Sequence, residues 1–177
     1  MILGMSTSTY TLLHVLISFV GIGSGLAVMF GMLRARRLDG LTLLFLATTA
    51  LTSLTGFAFP NEHITPGIVV GVLSLIVLAV AIVARYAAHL RGAWRPIYVI
   101  AAALAIYFNC FVLVVQSFEK VPALRALAPT QKEPPFGIVQ LSLLAIFVML
   151  TVLAVKRFRP NAGVVSLSGN IPKTGAA

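Results

Sequence analysis

The sequence predicts an all-α integral membrane bundle, and three observations carry that prediction. Of the 177 residues, 59% are hydrophobic and only 10% are charged, against about half and about a quarter in soluble domains. The apolar residues run in unbroken stretches close to the ~20 that a helix needs to cross a bilayer. These stretches do not alternate strictly, whereas barrel strands do and are only about ten residues long. In lipid the backbone is satisfied only by helices and closed barrels, so the runs are helices.

Five spans follow, Thr11–Leu33, Leu41–Phe59, Gly67–Ala84, Ile97–Ser117 and Phe136–Val155, and none contains Asp, Glu, Lys or Arg. The first lacks the basic lead-in and small-residue cleavage site of a signal peptide. Its positive charges, Arg34, Arg36 and Arg37, come after it, as expected of a retained helix whose N-terminus is outside. The connection after the third span adds Arg85, Arg91 and Arg95, and the region after the fifth adds Lys156, Arg157, Arg159 and Lys173. Five spans place these ten cations on one side, leaving only Lys120, Arg125 and Lys132 on the other. The positive-inside rule therefore sets the N-terminus outside and the C-terminus in the cytoplasm. Tyr10, Phe59, Phe118 and Phe136 are expected at the outer interface, and Tyr86, Trp94 and Phe158 at the inner one. Residues 1–159 form one five-helix transmembrane domain. Residues 160–177, rich in Gly, Pro and Ser, are expected to be a flexible cytoplasmic tail.

The longest connection, Ser117–Pro135, reads SFEKVPALRALAPTQKEPP and faces outward in this topology. Pro122 suits the first position of a helix, Ala, Leu and Arg propagate one, and Pro129 ends it. A short helix on the membrane surface is expected there, with Leu124 and Leu127 against lipid and Arg125 in the headgroup layer. The segment reads either as a plain connector or as a lid or docking surface.

With the direction set, the strongly polar side chains collect in the outer half. His14 lies about one turn into the first span, Asn109 and Gln116 in the outer half of the fourth, and Gln140 about one turn into the fifth. Glu62 and His63 flank them in the outer loop PNEHITP. His14, Ser18, Gly21 and Gly25 share one helix face, as do Tyr98, Ala102, Ala105, Asn109 and Gln116. Small residues at such spacing let helices approach closely. Two readings stay open. These groups are packing contacts between helices, or His14, Asn109, Gln116, Gln140, Glu62 and His63 border a ligand-binding cavity open to the outside.

Several chemistries find little support. The four acids, Asp39, Glu62, Glu119 and Glu133, all lie outside the spans, which disfavours a transporter driven through an embedded carboxylate. Neither a Walker loop nor a dinucleotide fingerprint is present, and no catalytic residue is identified. The net charge of +9 comes from clusters between spans, so nucleic acid is not an expected partner. Cys110, the single cysteine, excludes an internal disulfide and reads as packing. His14, His63 and Glu62 make only a sparse metal set, and two-histidine haem ligation fails because His89 lies on the opposite side. A quinone would find donors and aromatic walls in His14, Asn109, Tyr107 and Phe108.

The segments RLDGLTLLFLATTALTSLTGFAFP and FVLVVQSFEKVPALRALAPTQKEPPF resemble parts of a group of small bacterial inner-membrane proteins. The likeness runs over most of the chain apart from the tail. It implies a multi-pass protein of a bacterial inner membrane; that group carries no assigned activity, so no site residue transfers. The expected function is non-enzymatic: binding of a partner protein or small lipophilic ligand at the outer face, by the chain alone or as a homo-oligomer in the bilayer. The alternative is a quinone-linked or redox enzyme subunit. No cofactor is specified.

Overall fold

The structure is a computed structural model that describes residues 4–59 and 66–159. Six α-helices follow in order: α1 (Thr7–Leu33), α2 (Asp39–Gly56), α3 (Pro66–Ile82), α4 (Trp94–Lys120), α5 (Pro122–Leu127) and α6 (Pro134–Arg157). A π-helical turn, Val83–Ala87, extends α3. There is no strand among the described residues. Four helices, Thr7–Leu33, Gly67–Ala87, Trp94–Lys120 and Pro134–Arg157, are long and apolar enough to cross a membrane. α2 is shorter, at 18 residues, and starts on the charged Asp39.

The helices overrun the expected spans at most ends, because local chemistry sets their limits, whereas α2 stops at Gly56, short of the expected Phe59. Ser6 caps α1, its hydroxyl accepting from the Thr9 amide at 3.2 Å. Pro134 and Pro135 open α6 from the extended Glu133, where their fixed φ suits the first turn and a missing N–H costs nothing. The helix expected within the long connection is α5, and Pro122 is its first residue. α4 continues to Lys120, so only Val121 separates α4 from α5.

α1 and α2 form an antiparallel pair, α3 returns beside α2, and α4 lies at the centre against α1, α3 and α6. The smallest side chains lie where the backbones come closest. A Cβ on Gly25 would sit 2.8 Å from Ile106 Cγ1 and 2.9 Å from Phe45 Cδ2. One on Gly21 would meet Thr48, Thr49 and Asn109 at 3.2–3.6 Å. The Gly21/Gly25 spacing is thus the crossing of α1 with α2 and α4, as small-residue pairs allow. The alanines of α4 complete it: Ala102 and Ala105 have no exposed surface.

The bundle is apolar outward and partly polar inward. On α2, Leu43, Leu51 and Leu54 are exposed while Thr42, Thr49 and Ser53 are buried. Thr42, Thr48 and Thr55 donate to the carbonyls four residues earlier at 2.7–2.8 Å, which satisfies a hydroxyl within its own helix.

Three interfacial expectations are corrected. Tyr10 and Phe118, expected in an interfacial belt, are buried in the protein. Tyr10 donates to the Thr55 carbonyl at 2.8 Å, and Phe118 meets Phe136 edge-on at 5.4 Å. Each ring finds a partner inside the bundle, so neither is left to the headgroup layer. On the opposite end Tyr86 and Trp94 are exposed but Phe158 is buried against Tyr98. The expected tail, 160–177, lies outside the described residues.

Candidate functional site

One end of the bundle carries the α1 N-terminus, the α2 C-terminus, the start of α3, the α4 C-terminus, α5 and the start of α6. There α3, α4 and the α5 region border an open cavity of about 660 Å³, within the ~300–1,000 Å³ of ligand pockets. Its walls are Gly67 and Val70 of α3 and Phe111, Val112, Val115 and Phe118 of α4. Its polar rim is Gln116, Glu119, Lys120, Arg125, Thr130 and Gln131, with Pro129 between the last groups.

The rim is fixed by its own hydrogen bonds. Gln131 has a left-handed backbone, φ 58°, and its Nε2 donates to the Val115 carbonyl at 3.1 Å, tying the loop to α4. The Glu133 carboxylate accepts from the Thr130 amide and hydroxyl at 3.2 and 2.9 Å and from the Lys132 amide at 3.1 Å. Desolvation works against ionisation of that carboxyl, but these hydrogen bonds outweigh it and hold its pKa below the usual carboxylate value. A carboxylate anchoring its own loop shapes the cavity entrance without entering it.

The six residues predicted to form the outer site do not form one constellation. Gln116 lines the cavity. Gln140 reaches from α6 to α4, its Nε2 donating to the Phe111 carbonyl at 3.3 Å, with Oε1 buried and unpartnered. It thus braces the helix that supplies the Phe111 wall. His14 and Asn109 turn instead onto α2. The Thr55 hydroxyl already donates to Leu51, so at 2.8 Å it accepts from His14 Nδ1–H. The His14 ring also meets Phe59 edge-on at 5.2 Å. Asn109 Nδ2 donates to Thr49 Oγ1 at 3.1 Å. Both are bonds across the α1–α2–α4 seam. Glu62 and His63 lie outside the described residues.

Sequence reasoning missed a second constellation at the opposite end. Arg85, expected in a connection, is on the π-helical turn with its side chain 5% exposed. It pairs with Asp39 at the start of α2 and lies over the Tyr98 ring, 5.2 Å from its centroid. Nη1 of the guanidinium is buried without a partner. The available signal was that Asp39 is the single acid among the ten cations assigned to that side. Arg95 acts on α6, donating to the carbonyls of Val155 and Phe158 at 3.1 and 2.5 Å and so capping its last turn.

The cavity therefore joins an apolar wall to a rim with donors and two cations. It can hold an elongated apolar molecule with a polar end. No family model, curated protein or solved structure matches this chain.

Proposed function

We propose that this chain crosses a bacterial inner membrane five times, with its N-terminus outside, and binds a small lipophilic ligand in the cavity at its outer end without transforming it. The cavity itself carries the reading: about 660 Å³ of space with apolar walls and a polar rim. Two features of α2 support a fifth span. It lies alongside α1 over its whole length, from the Gly31–Leu38 contact to the Tyr10–Thr55 bond. It also turns leucines outward and threonines inward, the arrangement suited to lipid. Among the described residues, the arginines and lysine of the α1–α2 and α3–α4 connections and of the α6 end (Arg34, Arg36, Arg37, Arg85, Arg91, Arg95, Lys156, Arg157 and Arg159), remote from the cavity, support the orientation.

The test is native mass spectrometry of protein purified in mild detergent, beside a Val112→Trp variant that fills the cavity. A discrete adduct of a few hundred daltons on the wild type, absent from the folded variant, is expected. A bare wild-type mass that also takes up no added dodecanol would overturn the reading.

A further inference from the structure

We infer that the cavity selects a single-chain amphiphile with an anionic head, a carboxylate or phosphate; this rests on the ligand-binding reading above. The apolar wall and the charged groups occupy different parts of the lining. Val115 and Val112 lie on α4 about one and two turns before Lys120, so the wall runs toward the membrane interior and the cations sit at its mouth. At 1.5 Å per residue, eight residues from Val112 to Lys120 span about 12 Å, a length that suits an extended chain.

Volume limits the occupant. At roughly 30 Å³ per heavy atom, the share of a water in the liquid, 660 Å³ holds about 20 heavy atoms. That suits one acyl chain with a small head. A two-chain phospholipid would leave a chain outside.

Charge sets the head. Lys120 and Arg125 line the mouth together with Glu119, a net charge of +1, and neither cation is in an ion pair among the described residues. Lys120 and Glu119 are successive residues on α4 and project in different directions. The only other carboxylate of this connection, Glu133, is engaged by Thr130 and Lys132. The Gln116 amide adds a neutral donor on the same lining. The net positive mouth favours an anionic head over a cationic one, and a neutral head would forgo the charge-assisted bonds that two unpaired cations offer.

The experiment uses the full chain in neutral-lipid nanodiscs with three probes of equal chain length: laurate, dodecyl phosphate and 1-dodecanol. Bound probe is counted by native mass spectrometry for wild type, Lys120→Gln/Arg125→Gln and Val112→Trp. Expected is binding of at least one anionic probe about tenfold or more tighter than dodecanol, as charge-assisted hydrogen bonds confer. That preference should shrink as salt rises and vanish in the double Gln variant, whose laurate and dodecyl phosphate binding falls to the level of its own dodecanol binding. The laurate and dodecyl phosphate arms separate carboxylate from phosphate. Equal binding of all three probes, lost in Val112→Trp, would overturn the anionic head while leaving the cavity reading intact. Binding of none, in protein that remains folded, would overturn both.

Discussion

Removing Asp39 should harm this protein more than removing Arg85, although the two are partners. The Arg85 side chain is 5% exposed and that of Asp39 is 79% exposed. Asp39→Asn leaves a buried guanidinium without its counter-charge, and its Nη1 already lacks a partner. Breaking a buried pair in this way costs about 3–5 kcal/mol. Water screens the Asp39 end, which brings the expected loss to about 1–3 kcal/mol. Arg85→Met returns Asp39 to water and retains an aliphatic chain against Tyr98. It forfeits cation–π contacts with Tyr98 and Tyr86, about 0.5–1 kcal/mol each, but removes the orphan Nη1, which offsets part of that loss, so its cost should stay under about 1 kcal/mol. At ~2–4 °C per kcal/mol for a chain of this size, Asp39→Asn should lower Tm by about 2–12 °C and Arg85→Met by less than about 4 °C. The double variant should resemble Arg85→Met. Thermal unfolding in one detergent, followed through Trp94, the sole tryptophan, makes the comparison. If Arg85→Met proves the more damaging, the claim that burial of the guanidinium governs the pair is refuted.

Three other perturbations have definite outcomes. Gly25→Ala should destabilise by about 1–3 kcal/mol through overpacking on Ile106 and Phe45, whereas Gly23→Ala, with nothing within 4 Å, should be neutral or stabilising by up to about 1 kcal/mol; paired thermal melts read the contrast. His14→Ala and Asn109→Ala should each cost about 0.6–2 kcal/mol by removing a bond across helices, while Gln116→Ala should leave Tm unchanged and weaken only ligand uptake. Because the folded Glu133 pKa lies below its ordinary 4.5, its contribution to loop order is present above that value and lost as pH falls through the folded pKa; amide hydrogen exchange at Thr130 and Lys132, corrected for intrinsic rates, should show protection at neutral pH that is lost on acidification below 4.5 and is absent in Glu133→Gln.

The helices were legible because lipid leaves the backbone few options and the apolar runs are long. The α5 turn was legible too, since Pro122 and Pro129 bracket a stretch of strong helix formers. Partners of the polar residues were not. Depth along a helix follows from counting, but the direction in which His14 or Asn109 turns depends on which helix lies beside it. Both found threonines of α2, because the glycines of α1 bring that helix within reach. Gln116 differs because α3 and α4 leave space beside it, and no local pattern encodes a gap between helices. Arg85 was hidden for a related reason: the π-helical turn carries helical structure past the last apolar residue and swings its guanidinium inward over Tyr98.

The central claim, five crossings with the cavity outside, is tested most directly by thiol labelling of intact and permeabilised cells. In a Cys110→Ala background, single cysteines would replace Ser8, Arg91 and Thr130. The account predicts that a membrane-impermeant maleimide labels Ser8→Cys and Thr130→Cys in intact cells, and Arg91→Cys only after permeabilisation. Labelling of Ser8→Cys and Thr130→Cys from opposite sides would show that α2 does not cross, and would contradict the account.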